Sequence, residues 1–121
     1  MNRPTTRPEE LLPLTSVAFE ILLALSTGEA HGYAILRAVE ERTGGATSLH
    51  AGTLYRALAR LVETGLIEEM EDAPAEGGDE RRRYYALTPL GRSVARAEAL
   101  RLEAQVGAAR AHGLLGGAGS P

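Results

Sequence analysis

The segment from residue 50 to residue 69, HAGTLYRALARLVETGLIEE, constrains the fold of this 121-residue chain more than any other stretch. Apolar side chains recur four, seven and eight residues after Leu54, which is the spacing of one face of a helix. We therefore predict a helix from about Ala51 to Thr64, ended by Gly65. The next residues, LIEEME, are typical of a strand. Such a helix buries its apolar face and leaves its polar face available to a partner.

The polar face of this predicted helix carries groups suited to DNA. Arg56 and Arg60 lie one turn apart, and arginine is the commonest reader of guanine in the major groove. Gly52 lets a DNA backbone approach the first turn, whose N–H groups form a natural phosphate site. The hydroxyl of Tyr55 can donate to a phosphate. A plain alternative stays open, because two arginines four residues apart also occur on many solvated helix faces.

The rest of the chain divides into a few further elements. Residues 1–13 are rich in proline and threonine and predict a flexible N-terminal arm. An apolar helix follows to about residue 25, and a second helix ends at Gly44 and Gly45. RRRYYALT predicts a second strand that pairs with LIEEME as a hairpin around Gly77 and Gly78. Thr88 is expected to cap a fourth helix that runs to about residue 112, and residues 113–121 are expected to be a disordered tail.

This order of elements predicts a mainly α fold with a small β-hairpin. Three helices followed by a two-stranded wing make a winged helix-turn-helix DNA-binding domain, which we assign to residues 14–88. Residues 89–112 are assigned to a C-terminal dimerisation helix. In a helix-turn-helix module the recognition helix enters the major groove, so helix 51–64 would lie on base edges and phosphates with the wing beside it.

The charge of the predicted wing has two interpretations. The net charge is −3, but residues 61–80 hold eight acids and no base, whereas residues 81–96 hold five arginines and no acid. On a strand Arg81 and Arg83 share one face and Arg82 takes the other. These arginines either hold DNA phosphates or are neutralised by acids across the hairpin. The sequence leaves both interpretations open.

Composition and spacing argue against several other classes of protein. The chain has no cysteine, so it has neither disulfides nor a thiolate metal site. His31, His50 and His112 fit no compact metal motif, and His31 is expected to anchor the second helix by a hydrogen bond. No nucleophile–base pair or phosphate loop is present, so we expect no enzyme, no metal and no cofactor. No apolar run suits a membrane span or a signal peptide, which makes the cytoplasm the expected compartment.

Two helices carry a predicted dimer interface. Small and apolar residues on the fourth helix are spaced 4, 3, 4 and 3, which resembles a coiled-coil seam. The first helix is apolar nearly all round, as expected of a helix buried on more than one side. We predict a homodimer through both helices, although the seam also fits packing on the chain's own first helix. The predicted interface consists of Phe19, Leu22, Ala95, Ala99, Leu102, Val106 and Ala109.

Three motifs together resemble the PadR family of bacterial transcription regulators. They are HGYAILRAVEERTGG, GTLYRALARLVETGLIEE and RRRYYALTPLGR, and the resemblance covers about residues 14–95. It implies a winged-helix homodimer that binds operator DNA, usually as a repressor released by a small aromatic ligand. It also implies roles for Arg83 and Tyr85 in the wing strand. The predicted DNA-contacting residues are Tyr33, His50, Gly52, Thr53, Tyr55, Arg56, Arg60, Arg81, Arg82 and Arg83.

The chain departs from the family pattern in two places. The recognition helix usually begins with Ser-Pro but here begins with His50-Ala51, and histidine is the poorer N-cap. The chain has no tryptophan, so the site that sandwiches aromatic ligands in some relatives is not expected here. The resemblance implies an apolar cavity near the dimer centre that takes a small planar ligand, and the sequence adds only that Phe19 is available on the first helix. An alternative function is a winged-helix protein-interaction module without DNA binding. That alternative predicts exposed apolar residues on helix 51–64, where the sequence has glycine, threonine and arginine.

Overall fold

The computed structural model describes residues 7–46, 49–71 and 83–116 as helices that surround a small antiparallel sheet. A long helix closes the chain after the sheet. The elements are a 3-10 helix at Pro8–Leu11, α1 Ser16–Leu25, β1 Ala30–His31, α2 Gly32–Arg42, α3 Ala51–Glu63, β2 Ile67–Glu71, β3 Arg83–Leu87 and α4 Pro89–Ala111. This arrangement confirms the mainly α winged-helix fold.

The end of α3 forms as the sequence predicts. Gly65 has φ +83°, a left-handed conformation that glycine adopts without a steric penalty. The N–H of Gly65 donates to Val62 at 3.0 Å, and the N–H of Leu66 donates to Leu61 at 2.9 Å. This pair of bonds is a Schellman motif, which satisfies the last carbonyls of the helix. The chain therefore turns directly from α3 into β2.

Within the described residues the sheet has three strands, whereas the sequence predicts only a hairpin. The strand order is β1-β3-β2, and both pairs are antiparallel. The additional strand is the two-residue segment β1, in which Ala30 pairs with Tyr85 and His31 pairs with Tyr84. The hairpin loop predicted between β2 and β3, with Gly77 and Gly78, lies outside the described residues.

The hydrophobic core joins all the helices to one face of the sheet. Its members are aliphatic except for Tyr85, in agreement with the low aromatic content of the chain. The stripe predicted on α3 is confirmed, because three of its members are buried while its opposite face stays exposed. The buried apolar residues are Ile21, Leu22, Leu25, Ile35, Val39, Leu49, Leu54, Leu58, Leu61, Leu66, Ile67, Tyr85 and Val94.

Part of the predicted dimer surface on α1 is instead internal. Leu22 is fully buried in the core of its own chain, so its assignment to the dimer interface is wrong. The apolar circumference of α1 is explained largely by packing within the chain, against α2, α3, α4 and β3. Phe19 remains partly exposed. Glu20, the one charged residue of α1, accepts hydrogen bonds from the guanidinium of Arg42 at the end of α2.

Residues 7–15, here called the N-terminal segment, are folded against the domain. The sequence predicts a flexible arm over residues 1–13, but Pro8–Leu11 form a 3-10 helix that contacts α4. The N–H of Leu14 donates to the carboxylate of Glu98, which is 2% exposed. Arg101 donates to the same carboxylate at 2.9 and 2.8 Å. These bonds lower the pKa of Glu98, mainly through Arg101, while burial opposes the shift.

The long helix α4 has a buried half and an exposed half. It begins as predicted, with Pro89 in its first turn and the hydroxyl of Thr88 accepting from the N–H of Gly91 at 2.9 Å. Gly91, Val94 and Glu98 are buried against the domain. Beyond them the helix is mostly exposed to its end at Ala111. Within the described ranges, every helix is too short or too polar to cross a membrane.

Candidate nucleic-acid interface

The exposed face of α3 presents the residues that the sequence assigns to DNA. Gly52, Tyr55, Arg56 and Arg60 are exposed, and Thr53 is partly exposed. The guanidinium of Arg56 folds back over the first turn, where its Nη2 lies 3.4 Å from the hydroxyl of Thr53. An added Cβ at Gly52 would stand 3.5 Å from the other terminal nitrogen of this guanidinium. Positive charge is therefore concentrated at the start of the helix.

The start of α3 has no side-chain cap. His50 occupies the N-cap position with extended backbone, and its ring accepts no hydrogen bond from the first turn. This agrees with the expectation that histidine caps more weakly than the serine of the usual motif. The first-turn N–H groups lack an acceptor from this residue, and such groups attract anions. His50 itself is exposed beside them.

Tyr55 and Gly32 connect the second motif to the first. An added Cβ at Gly32 would lie 2.7 Å from the Tyr55 hydroxyl oxygen and 3.0 Å from its ring. The Tyr55 ring therefore rests against the backbone at the start of α2, in a place that only glycine leaves open. The ring is still 51% exposed, so its hydroxyl is accessible. This contact explains why Gly32 of the HGY motif and Tyr55 of the GTLY motif occur together, since any side chain at position 32 would collide with the tyrosine ring.

His31 anchors the start of α2, as the sequence predicts. Its Nδ1 accepts from the N–H of Ala34 at 3.2 Å, which caps the helix. Its ring packs edge-on against Tyr84, with centroids 5.6 Å apart. Because Tyr84 belongs to β3, the histidine ties the first helix of the motif to the wing. Tyr33 lies two residues after His31 and is 61% exposed.

Arg37 is a candidate contact that the sequence analysis did not single out. Its guanidinium carbon lies 5.9 Å from the centre of the Tyr33 ring, a cation–π arrangement. It also lies 3.7 Å from the carboxylate of Glu41, in a pair exposed on both sides. The signal was the i, i+4 spacing of tyrosine and arginine on one helix face, which identifies neighbours but not which partner they face. Together Tyr33 and Arg37 extend the exposed aromatic and basic surface from α3 onto α2.

Arg83 is the one predicted wing arginine within the described residues, and its surroundings favour internal neutralisation. Arg83 lies 2.9 Å from the carboxylate of Glu69 on β2. Glu69 pairs in register with Tyr85, whose pKa is raised by burial and by the same carboxylate. Arg83 is nevertheless exposed, so DNA could compete with Glu69 for it. Arg81 and Arg82 lie outside the described residues, and their two interpretations stay open.

A groove lies between the N-terminal segment and α3. It has a volume of about 300 Å3 and is lined mainly by apolar side chains. Arg60 and Thr64 also line it, so one of the candidate DNA-reading arginines stands beside it. We call it the N-terminal groove, and its apolar lining includes Leu11, Leu14, Ala18, Ala57, Leu61 and Leu66. Phe19 is not among its lining residues, so it differs from the ligand cavity that the sequence places near the dimer centre.

One family model matches the part of the chain that contains α2, α3 and β3. That model describes the transcriptional regulator PadR-like family and matches residues 21–97. The chain belongs to the PadR-like family. A curated relative is an uncharacterized 37.1 kDa protein in transposon TN4556 of Streptomyces fradiae, 40% identical over 79 residues. The match covers 65% of this chain and 21% of that protein, so the chain spans about a fifth of the relative's length.

Similar solved structures confirm the fold, and those of two PadR proteins confirm the class. A PadR family transcription regulator of Clostridium difficile is 26% identical with a TM-score of 0.71, covering 81% of this chain and 98% of that one. RosR of H. salinarum is 33% identical with a TM-score of 0.61, covering 80% and 78%. Bacillus subtilis PadR, solved in complex with operator DNA, is 25% identical with a TM-score of 0.62, covering 69% and 46%. PadR-like proteins are transcription regulators, which are not enzymes.

Proposed function

We propose that this PadR-like protein regulates transcription by binding an operator through α3, with α2 and the wing on the flanking backbone. The observation that carries the proposal is the exposed face of α3, which presents Arg56, Arg60 and an uncapped first turn. The related PadR of Bacillus subtilis was solved with operator DNA. A protein-interaction module would need exposed apolar residues on this face. The face holds glycine, threonine, tyrosine and arginine instead.

The active form in this proposal is a two-fold homodimer joined through α4. Leu100 and Val106 are each about half exposed on the distal part of this helix, although they are apolar. Four of the five seam residues on α4 are symmetric in sequence, since the pairs Ala99–Ala109 and Leu102–Val106 are both centred on residue 104. Two antiparallel copies of α4 can therefore place like contacts at equal distances from a two-fold axis. Residues 14–88 would form the DNA-binding domain and residues 89–112 the dimerisation helix.

The operator of such a dimer is an inverted repeat. Two-fold protein symmetry demands matching half-sites separated by about one helical turn, ~34–36 Å, or a multiple of it. We further propose that the protein is a repressor released by a small aromatic ligand, which rests on the family resemblance and on the partly exposed ring of Phe19. A protein that binds chromosomal DNA in a bacterium works in the cytoplasm.

The decisive experiment is selection of DNA fragments with the purified protein, followed by affinity measurements on the selected operator. Loss of Arg56 or Arg60 should cost about 1–3 kcal/mol on the operator and relax the base preference at one position. Arg96→Ala is the matched control, because Arg96 is an exposed arginine on α4 away from the interface. Full affinity in the Arg56→Ala/Arg60→Ala double variant would exclude α3 as the recognition helix. Aromatic compounds that lower operator affinity would identify the ligand class.

A further inference from the structure

Arg37 on α2 is held more loosely than the other acid-paired arginines within the described residues. It lies 3.7 Å from the carboxylate of Glu41, and the two side chains are 60% and 73% exposed. Arg42 and Arg101, by contrast, each donate two hydrogen bonds to a single carboxylate. Arg83 lies 2.9 Å from its partner, which is less exposed. An exposed pair at the outer limit of contact contributes little stability, so Arg37 can change partners at small cost.

The ring of Tyr33 sets the direction in which the Arg37 side chain runs. The guanidinium carbon lies 5.9 Å from the centre of that ring. The side chain therefore points toward the start of α2, as long side chains on a helix usually do. The start of α2 is also where Tyr55 of α3 rests against Gly32. The guanidinium of Arg37 is thus continuous, through Tyr33 and Gly32, with the exposed face of α3.

A shallow hollow of about 390 Å3 lies beside this guanidinium. Its lining includes Ala34 and Ala38, which are partly exposed, and the exposed side chains of Tyr33, Arg37 and Glu41. A DNA backbone offers groups that match this lining, since its deoxyribose is largely apolar and its phosphate is an anion. Small alanine side chains allow a close approach, and a guanidinium beside a phenol hydroxyl suits a phosphate. Glu41 is the lining residue whose charge opposes that phosphate.

We propose that Arg37 exchanges Glu41 for a phosphate of the DNA backbone when the protein binds its operator. This phosphate lies outside the bases read by α3, and the deoxyribose beside it rests on the two alanines of the hollow. Glu41 is then an internal competitor that weakens the complex without altering the base preference, because phosphate contacts carry no sequence information. This inference rests on the function proposed above. It separates Arg37 from Arg83, whose closer carboxylate retains it.

The salt dependence of DNA affinity tests the exchange. The probes are an operator fragment selected with the purified protein and a random-sequence duplex of the same length. Arg37→Ala should weaken binding to both duplexes about tenfold, because a charged hydrogen bond is lost. It should also lower the salt slope by about one unit, since one phosphate fewer is neutralised. Arg96→Ala removes the same charge from an exposed position on α4 and should change neither quantity. An unchanged slope in Arg37→Ala would overturn the inference.

Glu41→Gln should have the opposite effect on affinity. Without its competitor Arg37 is free for the phosphate, so binding to both duplexes should tighten by about two- to threefold. The gain should shrink in the Arg37→Ala background, where no guanidinium remains to be released. Glu40→Gln is the matched control, because it removes the same charge from an exposed neighbour that does not line the hollow. Equal gains from both glutamates would reflect overall charge alone and would contradict the role of Glu41.

Ethylation interference locates the phosphate directly. Operator DNA is ethylated at random phosphates, and the positions at which ethylation blocks binding are mapped for each variant. The wild type should require one phosphate in each half-site that Arg37→Ala no longer requires, while the other sensitive positions are kept. Identical maps for the two proteins would overturn the inference and leave operator binding intact. If the wild type prefers no DNA fragment over random sequence, the proposed function fails, and the salt slopes on the random duplex still decide whether Arg37 meets a phosphate.

Discussion

Replacing Gly91 with alanine should strongly destabilise the fold, because no space exists for the added carbon. A Cβ at this position would lie 1.9 Å from the carbonyl oxygen of Leu66, whereas real Cβ atoms keep at least 3.0 Å from other atoms. The obstacle is backbone, so a side-chain rotation cannot relieve it. Helix α4 would have to move by about 1 Å or more from the turn that joins α3 to β2.

The magnitude follows from the bonds that such a movement breaks. The carbonyl of Leu66 accepts from the N–H of Thr88 at 3.1 Å, and the Thr88 hydroxyl donates to Gly65 at 2.5 Å. Loss of a partner for a buried carbonyl costs about 1–3 kcal/mol. Overpacking adds about 1–3 kcal/mol, while alanine in a helix returns up to about 1 kcal/mol. We expect a net loss of about 2–4 kcal/mol, which lowers the melting temperature by about 10 °C or more.

Gly107→Ala is the matched control, because it makes the same substitution in the same helix. An added Cβ at Gly107 meets nothing within 4 Å, so the helix should gain about 0.5–1 kcal/mol. Thermal unfolding followed by circular dichroism measures both variants beside the wild type. If Gly91→Ala melts at the wild-type temperature, the close packing of α4 on Leu66 is not as described here.

Three further changes test the interface and the buried carboxylate. Gly32→Ala should weaken operator binding about tenfold at nearly unchanged melting temperature, because the new Cβ displaces the Tyr55 ring; fluorescence anisotropy measures the affinity. Arg83→Ala should leave the salt dependence of operator affinity unchanged, since Glu69 already pairs with Arg83; a slope reduced by about one unit would contradict this. Glu98→Gln should cost about 1–3 kcal/mol near neutral pH. Folding lowers the pKa of Glu98, so the ionised carboxylate stabilises the fold at pH values above its unfolded-state pKa. That stabilisation is lost as pH falls through the folded-state pKa. Urea unfolding at several acidic pH values should therefore show that the free energy of unfolding falls less with pH in the variant than in the wild type.

Local signals account for the parts of the fold that the sequence predicts well. The apolar stripe, Gly65 and the Thr88-Pro89 pair each act within a few residues, so α3 and the start of α4 follow from their own sequence. The strand β1 could not be predicted in this way. It has two residues, too few for any periodicity, and it exists because Tyr84 and Tyr85 offer it an edge.

The same limit explains the two errors in surface assignment. The nearly all-round apolar surface of α1 predicts a dimer contact at Leu22, but periodicity cannot distinguish burial within one chain from burial between two. The folding of Pro8–Leu11 depends on α4, about 90 residues away, and specifically on a surface that includes the buried Glu98. A glutamate in an Ala-rich helix looks solvated in the sequence. Its burial becomes evident only with Leu14 and Arg101 around it.

The two halves of α4 bear on two different aspects of operator recognition, which are the bases within a half-site and the spacing between half-sites. Its first half is fixed to the DNA-binding domain through Gly91 and Glu98, and its second half carries the proposed seam. The helix is continuous over 23 residues, so in the proposed dimer the seam would set the distance and angle between the two copies of α3. Bases within a half-site would then be read by side chains such as Arg56, whereas the spacing between half-sites would be set by α4. Because one helical residue rotates the chain by about 100° and advances it by about 1.5 Å, insertions between Glu98 and Leu102 would change the preferred spacing without changing the half-site.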